Sequence, residues 1–374
     1  MMKPISTFGQ TALRNSQLRR LESELATASQ EIATGKKDDI AKSIGSELVN
    51  LQTIRNQFDE NNAYLRSIGV FKQRADIMDS SLGDIEAAVN EVVKVAAINA
   101  ASPLDSASTI QLVADGSIDR IITALNVEIG GRYLFGGSEV ENRPGQPQNI
   151  GNNGGLPPRE MIEQVLTGTT GLPGFPVTDL TVPGALADST ELLTRFDEVF
   201  QGINAGGGPG VEDYSFENSL YNGELSGTLI DIRLPNNSYQ RQTNDELIQG
   251  LRDVLQGAFI LATVPLDQIT DDDAYVELMT GDDIAREGAL DLLAGGLATI
   301  QRVRTDLGLR YQQVTASEEA TLTQNALFNN QIVDLENSDP FETQTRFLNI
   351  EKQLEASYAA STRVLSLSLV NFIR

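Results

Sequence analysis

Two stretches far apart in the chain repeat apolar residues about every 3.5 positions, and that repeat limits the fold more than any other feature. In the first, Phe71, Ala75, Met78, Leu82, Ile85, Val89, Val92 and Ala96 advance by alternating steps of four and three. In the second, Ala289, Leu293, Gly296, Ile300, Val303, Leu307, Arg310 and Val314 do the same, with Gly296 and Arg310 as its weak members. Such steps place side chains on one narrow helical stripe, the seam of a coiled coil. A shorter seam of Leu18, Leu21, Leu25, Ala28 and Ile32 lies near the start. Each stripe must be covered by something. Two arms of similar length cover each other most economically as antiparallel partners.

Breaks in the pattern set the expected helix ends. Thr34-Gly35 stops the first seam, and a helix then spans 46–100. Ser102-Pro103 ends it, because the residue before a proline disfavours the helical region. A third helix is predicted over 105–129, with Ile118, Ile121, Leu125 and Ile129 on one face. In the second arm, Ser338-Asp339-Pro340 interrupts; either Ser338 or Asp339 can cap a helix that has Pro340 in its first position. That helix carries Phe347, Ile350, Leu354, Tyr358, Leu365, Leu369 and Phe372 at roughly helical spacing. The outermost pieces, 5–34 and 341–374, form too thin a pair to bury much area. They are expected to need other subunits.

Between the arms the composition changes. Ten of the thirteen prolines fall in 141–284, and this segment holds 23 Asp or Glu against 6 Lys or Arg, a net of −17 out of −24 for the chain. Within it, 229–234 alternates as a strand, Asn236-Asn237 follows as a turn, 246–264 is helical and Gly206 to Gly210 form a loop. The predicted fold is mainly α: a long antiparallel coiled-coil bundle of the N- and C-terminal arms, with an inserted mixed α+β or β-rich outer domain. Three domains follow: 1–45 with 336–374, a terminal coiled coil; 46–140 with 285–335, a helical bundle; and 141–284, an acidic outer domain.

Composition excludes much chemistry. The chain has no cysteine and no histidine, which removes thiolate metal sites, disulfides, the commonest metal ligand and the commonest general base. Asp271-Asp272-Asp273 with Glu277, Asp282 and Asp283 resembles a calcium loop only in charge: counted from Asp271, positions 5 and 6 are Tyr275 and Val276, where an oxygen ligand and glycine belong. The glycines around Tyr133 follow no strand and precede no Lys-Ser or Lys-Thr pair, so they make no phosphate loop. Lys36-Lys37-Asp38-Asp39 is expected to be a solvated turn. No catalytic residue, metal ligand or cofactor is expected, and no enzyme. The acidity argues against a nucleic-acid partner. No apolar run of about 18 residues suits a membrane, and the polar start MMKPISTFGQTALRNSQLRR lacks the apolar core of a secretory signal. The expected location is cytoplasmic, or outside the cell by a route that cleaves no signal.

The stretch GGRYLFGGSEVENRPGQPQ, from Gly130 to Gln148, marks the handover from arm to insert. Its glycines permit a sharp turn, and Tyr133, Leu134 and Phe135 are placed to cap the end of the bundle core. In the form GRYLFGG after a coiled-coil arm, it resembles the flagellin superfamily, and within it the hook–filament junction branch. Ile5-Ser6-Thr7, the run from Leu25 through Lys36, Glu342 to Arg346, Gln353 to Tyr358 and Leu367 to Phe372 resemble the same group. The resemblance covers about 1–145 and 285–374. Asp38-Asp39 is followed by Ile40-Ala41 where many relatives have proline or alanine at once, so junction protein and filament flagellin both stay open. The resemblance implies a structural part of the bacterial flagellum, exported unfolded through the type III channel and found outside the cell. The implied partners are further copies of itself in a ring or tube, the first hook-associated protein, flagellin and a flagellar export chaperone. Leu18, Leu21, Leu25, Ile32, Phe347, Leu354, Tyr358, Leu365, Leu369 and Phe372 are the candidate assembly residues. An intracellular coiled-coil signalling protein is the remaining alternative.

Overall fold

A computed structural model describes residues 7–99, 107–151, 156–167, 189–201, 215–235, 238–269, 271–281 and 287–372. The side chains of 7–11, 99, 190, 201, 217, 218 and 364–372 are not described. Ile5-Ser6, the Ser102-Pro103 stop, the loop at 206–210, the turn at Asn236-Asn237 and the pair Asp282-Asp283 therefore lie outside the described residues. The chain divides into two compact units, Met1–Ala63 with Ala320–Arg374, and Tyr64–Glu319.

The first unit is helical. Helix α1 runs Thr7–Thr34, α2 Ile40–Ile44, α3 begins at Leu48, α10 ends at Glu336 and α11 runs Pro340–Phe372. The helices stop where the sequence says they should. Gly35 takes φ +71, and its N–H bonds back to the Glu31 carbonyl at 2.8 Å, a left-handed cap that favours glycine. At the other break Asp339, not Ser338, is the cap: its carboxylate accepts from the N–H of Phe341 at 2.8 Å and of Glu342 at 3.3 Å. In this unit α3 and α10 are antiparallel, since Arg55 meets Glu336 while Asn61 meets Gln324.

The second unit holds the rest of α3 (Leu48–Asn99) and α10 (Ala289–Glu336), with α4 Ala107–Leu125, α5 Pro158–Thr167, α6 Ser189–Gln201, α7 Phe216–Ser219, α8 Asp245–Thr263 and α9 Asp272–Thr280. All eight seam residues of α3 are buried. They share one core with Ile300, Val303, Leu307 and Val314 of α10, and with Ile110, Ile118 and Ile121 of α4. Here too α3 and α10 run antiparallel. Lys72 pairs with Glu318 at 2.9 Å, whereas Arg304 bridges Asp79 at 2.6 Å and Glu86 at 2.9 Å. Those two carboxylates raise the Arg304 pKa further above its ordinary value, so its charge is fixed at any accessible pH.

Helix α8 is amphipathic: Asp245, Glu246 and Gln249 are exposed, while thirteen of its nineteen residues are buried, the apolar ones in this core. It crosses α10 at glycines. A Cβ on Gly296 would meet the Gly250 carbonyl oxygen at 2.6 Å and Val254 Cγ2 at 2.7 Å. Gly296 therefore belongs to the seam because nothing larger fits. Phe200 is the hub of an aromatic cluster, its ring centroid 6.4 Å from Phe196, 6.0 Å from Phe216 and 6.2 Å from Phe259 of α8.

Two short antiparallel hairpins complete the unit. Strands β3 Thr228–Arg233 and β4 Tyr239–Thr243 pair with a bulge at Leu229. Strands β1 Glu128–Ile129 and β2 Arg132–Tyr133 correct the third predicted helix, which stops at Leu125 and not at 129. Gly130 and Gly131 are both left-handed, at φ +60 and +77, the backbone of a tight hairpin turn. Turn chemistry wins over helical spacing there, and Ile129 becomes a strand residue.

Candidate functional site

Helices α1 and α11 lie close together in the first unit. They are antiparallel: the Tyr358 hydroxyl donates to Glu22 at 2.7 Å, and Arg346 pairs with Glu31. The inward stripe of α11 is Thr343, Phe347, Ile350, Leu354, Ser357 and Ser361, again in steps of four and three. Leu18, Leu21, Leu25 and Ala28 answer it from α1, and then Glu31 replaces the expected Ile32. Among the described apolar residues of the pair only Ala28, Ile350 and Leu354 are buried. Small residues in the stripe let the two backbones approach, and leave the pair with a thin core.

Polar contacts fasten the open end of this pair. Lys36 bridges Asn337, the Ser338 N–H donates to the Gly35 carbonyl at 3.1 Å, and the Lys37 N–H donates to the Glu336 carbonyl at 2.9 Å. Lys37 Nζ donates to the Leu335 carbonyl at 2.9 Å, a cation at a helix C-terminus, where the helix dipole favours it. Glu336, 4% exposed, accepts from Arg55 Nε at 2.7 Å and pairs with Lys36 at 3.4 Å. Glu31, 6% exposed, accepts from the Asp38 N–H at 3.2 Å as well as from Arg346. The Asp39 carboxylate caps α2 through the Lys42 N–H at 3.0 Å. The turn is solvated as expected, with Lys36, Asp38 and Asp39 exposed, and it is also a clasp: Lys36 and Lys37 bond to α10, Asp38 to α1 and Asp39 to α2. The partners of its two lysines stand about 300 positions away in the sequence, beyond the reach of local pattern.

Beside the clasp, α1, α2 and α11 frame a groove of about 960 Å³. Thr27, Lys42, Thr345, Arg346 and Ile350 line it, and Phe341 stands at its rim, 81% exposed. Among the described residues no group of His, Cys, Asp or Glu could hold a metal ion, and no helix is long and apolar enough to cross a membrane. The acidic run at 271–273 serves helix capping. Asp271 caps α9 through the Asp273 N–H at 3.0 Å, and Asp272 and Asp273 occupy its first turn.

The sequence-predicted assembly residues fall into groups. Leu354 is buried within the chain. Leu18, Leu21, Leu25 and Phe347 are half-buried in the seam. Ile32 and Tyr358 are exposed, with Ser357 taking the inward place expected of Tyr358. The side chains of Leu365, Leu369 and Phe372 lie outside the described residues. Heptad reading passed over Leu13, Phe341 and Leu348, which are large, apolar and exposed. Their signal was a large apolar residue off the seam of an otherwise polar helix.

The corner residues belong to the second unit. Leu134 and Phe135 are buried and Tyr133 is half-buried. The Phe135 carbonyl accepts from the Tyr221 hydroxyl at 2.6 Å, and Asn244 Nδ2 donates to that hydroxyl at 2.7 Å. Burial pushes the Tyr221 pKa up to about 12. Glu224 ties in a second point: its N–H donates to the Gly136 carbonyl at 3.0 Å, and its carboxylate accepts from the Ser138 N–H at 3.0 Å; the Ser138 side chain first, and that N–H second, lower its pKa.

Residues 290–373 match the bacterial flagellin C-terminal helical region. The matched span is α10, except its first residue, and the described length of α11. The flagellin C-terminal region therefore coincides with the second arm, including one side of the clasp and of the groove. The match supports the flagellin superfamily. No curated protein matches the chain.

Proposed function

We propose that this chain is a structural subunit of the bacterial flagellum, exported from the cell and assembled with copies of itself through its terminal helices. The observation that carries the reading is the coincidence of the flagellin C-terminal match with a helix pair of thin core and exposed apolar residues. Within the flagellum we place it at the hook–filament junction, as an adaptor between the first hook-associated protein and flagellin. GRYLFGG at the corner supports that position. The part of the outer, acidic domain falls to 141–284, and that of the inner coiled coil to 1–45 with 336–374. Mutual repulsion of acidic outer domains would keep the assembly soluble. The family match favours filament flagellin equally, so that is the second reading.

Gold-labelled antibody on sheared flagella separates the two. Label confined to the hook end is expected, and label along the filament would replace the junction reading with the filament one. Protein found only in cell lysate would overturn both. Deleting the gene gives an independent result: loss of an adaptor spills flagellin into the medium from cells that keep their hooks, whereas loss of a flagellin shortens filaments without a spill.

A further inference from the structure

A second groove, of about 420 Å³, lies in the second unit between α3 and the β3–β4 hairpin. Tyr64, Val70, Phe71 and Arg74 of α3 line one wall. Ile230 to Arg233 of β3 line the other, with Tyr239 of β4 beside them. Neighbouring side chains of a strand point to opposite faces. A groove touched by four successive strand residues therefore follows the strand's edge. Among the described residues β3 pairs only with β4, so its other edge has no strand on it. Val70 and Tyr239 are each 58% exposed, which gives the groove two open apolar walls.

Its charge runs against that of the molecule. The chain carries −24, yet arginines gather here. Arg74 is half-buried, its Nη2 donates to the carbonyl of the bulged Leu229 at 3.1 Å, and its Nε is buried with no partner. Burial first, and the nearby Arg132 second, pull the Arg74 pKa down, while Asp231 opposes them. Arg233 lines the groove too. Asp231, the acid present, stands 4.0 Å from Arg241.

We propose that this groove binds an extended acidic peptide segment, laid along the free edge of β3 as a third strand with a carboxylate facing Arg74. Strand addition supplies backbone hydrogen bonds, the walls between α3 and β3 take apolar side chains at alternate positions, and the guanidinium selects the acid. The inference rests on the second unit alone and is independent of the flagellar reading.

The probe is a fluorescent, end-blocked six-residue peptide alternating valine and glutamate. It is titrated against the full chain at 0.15 M salt, where the Debye length of about 8 Å screens the overall negative charge. Saturable binding is expected, weakened at least about tenfold when lysine replaces glutamate or when alternate amides are N-methylated. Val70→Glu is expected to abolish binding without moving the melting temperature, because that side chain is exposed. Arg74→Gln, which keeps a donor for Leu229, is expected to lose about tenfold. No binding at millimolar peptide, equal binding of the lysine peptide, or full binding by Val70→Glu would each overturn the proposal.

Discussion

Helix α10 contains two adjacent glycines whose replacement by alanine should have opposite effects. Alanine is favoured over glycine in a helix interior by about 1 kcal/mol. Gly295 is exposed, and a Cβ there meets nothing within 4 Å, so Gly295→Ala is expected to stabilise the second unit by about 0.5–1 kcal/mol. Gly296 is buried, and its Cβ would lie 2.6 Å from the Gly250 carbonyl oxygen, 2.7 Å from Val254 Cγ2 and 2.9 Å from the Val254 amide nitrogen. Two of those three atoms are backbone of α8, which is buried in the core and cannot retreat cheaply. Overpacking of this kind costs about 1–3 kcal/mol or more, so it outweighs the gain in propensity. The net expectation is a loss of about 1–2 kcal/mol. Native-state hydrogen exchange read on peptides from 245–263 and 289–319 measures both variants within one unit. Slower exchange in Gly295→Ala and faster exchange in Gly296→Ala are expected. If the two variants behave alike, the close crossing of α8 and α10 is wrong.

Other perturbations test the remaining parts. Glu31→Gln keeps the shape of the clasp but removes the negative charge opposite Arg346; because Arg346 is half-exposed and can turn to water, the cost is about 1–2 kcal/mol, read as roughly 5–30-fold faster exchange in α1 and α11. Asp253, held at about 6 by burial and by Glu287 despite a hydrogen bond from Gln249 and the nearby Arg252, is more easily ionised in the unfolded chain. Its contribution is full below about pH 4 and is lost as pH rises toward 6, so Asp253→Asn should raise stability at pH 7 by about 1 kcal/mol after solvent screening and change nothing at pH 4, checked by urea melts at both values. Phe341→Ser with Leu348→Ser should leave the fold intact, since both side chains are exposed, and should reduce incorporation into sheared flagella at least several-fold; normal incorporation would detach this face from assembly.

The seams on α3 and α10 were legible because a repeat of apolar residues sustained over seven steps has one low-energy reading, and every large apolar member of both proved buried. Caps were legible for the same local reason: Gly35, Asp339 and Pro340 act within four residues of their partners. What the sequence hid is what distance creates. Gly296 counted as a weak seam member because a helical wheel sees only the absence of a side chain, not a second backbone 46 residues earlier lying in the space. The exposure of the turn at 36–39 is legible and its clasp is not, because charge pairs such as Lys36 with Glu336 join residues with no sequence relation. Helices α5, α6 and α9 escaped because they are short and stand among prolines and glycines, where turn signals dominate. The same asymmetry bears on the proposed assembly surface. Leu354 stands out by its period, and period marks what pairs inside the chain; Phe341 and Leu348 lie off the period and remain uncovered. In a helix pair with so thin a core, apolar residues left outside the seam are the better guide to what a neighbouring copy would touch.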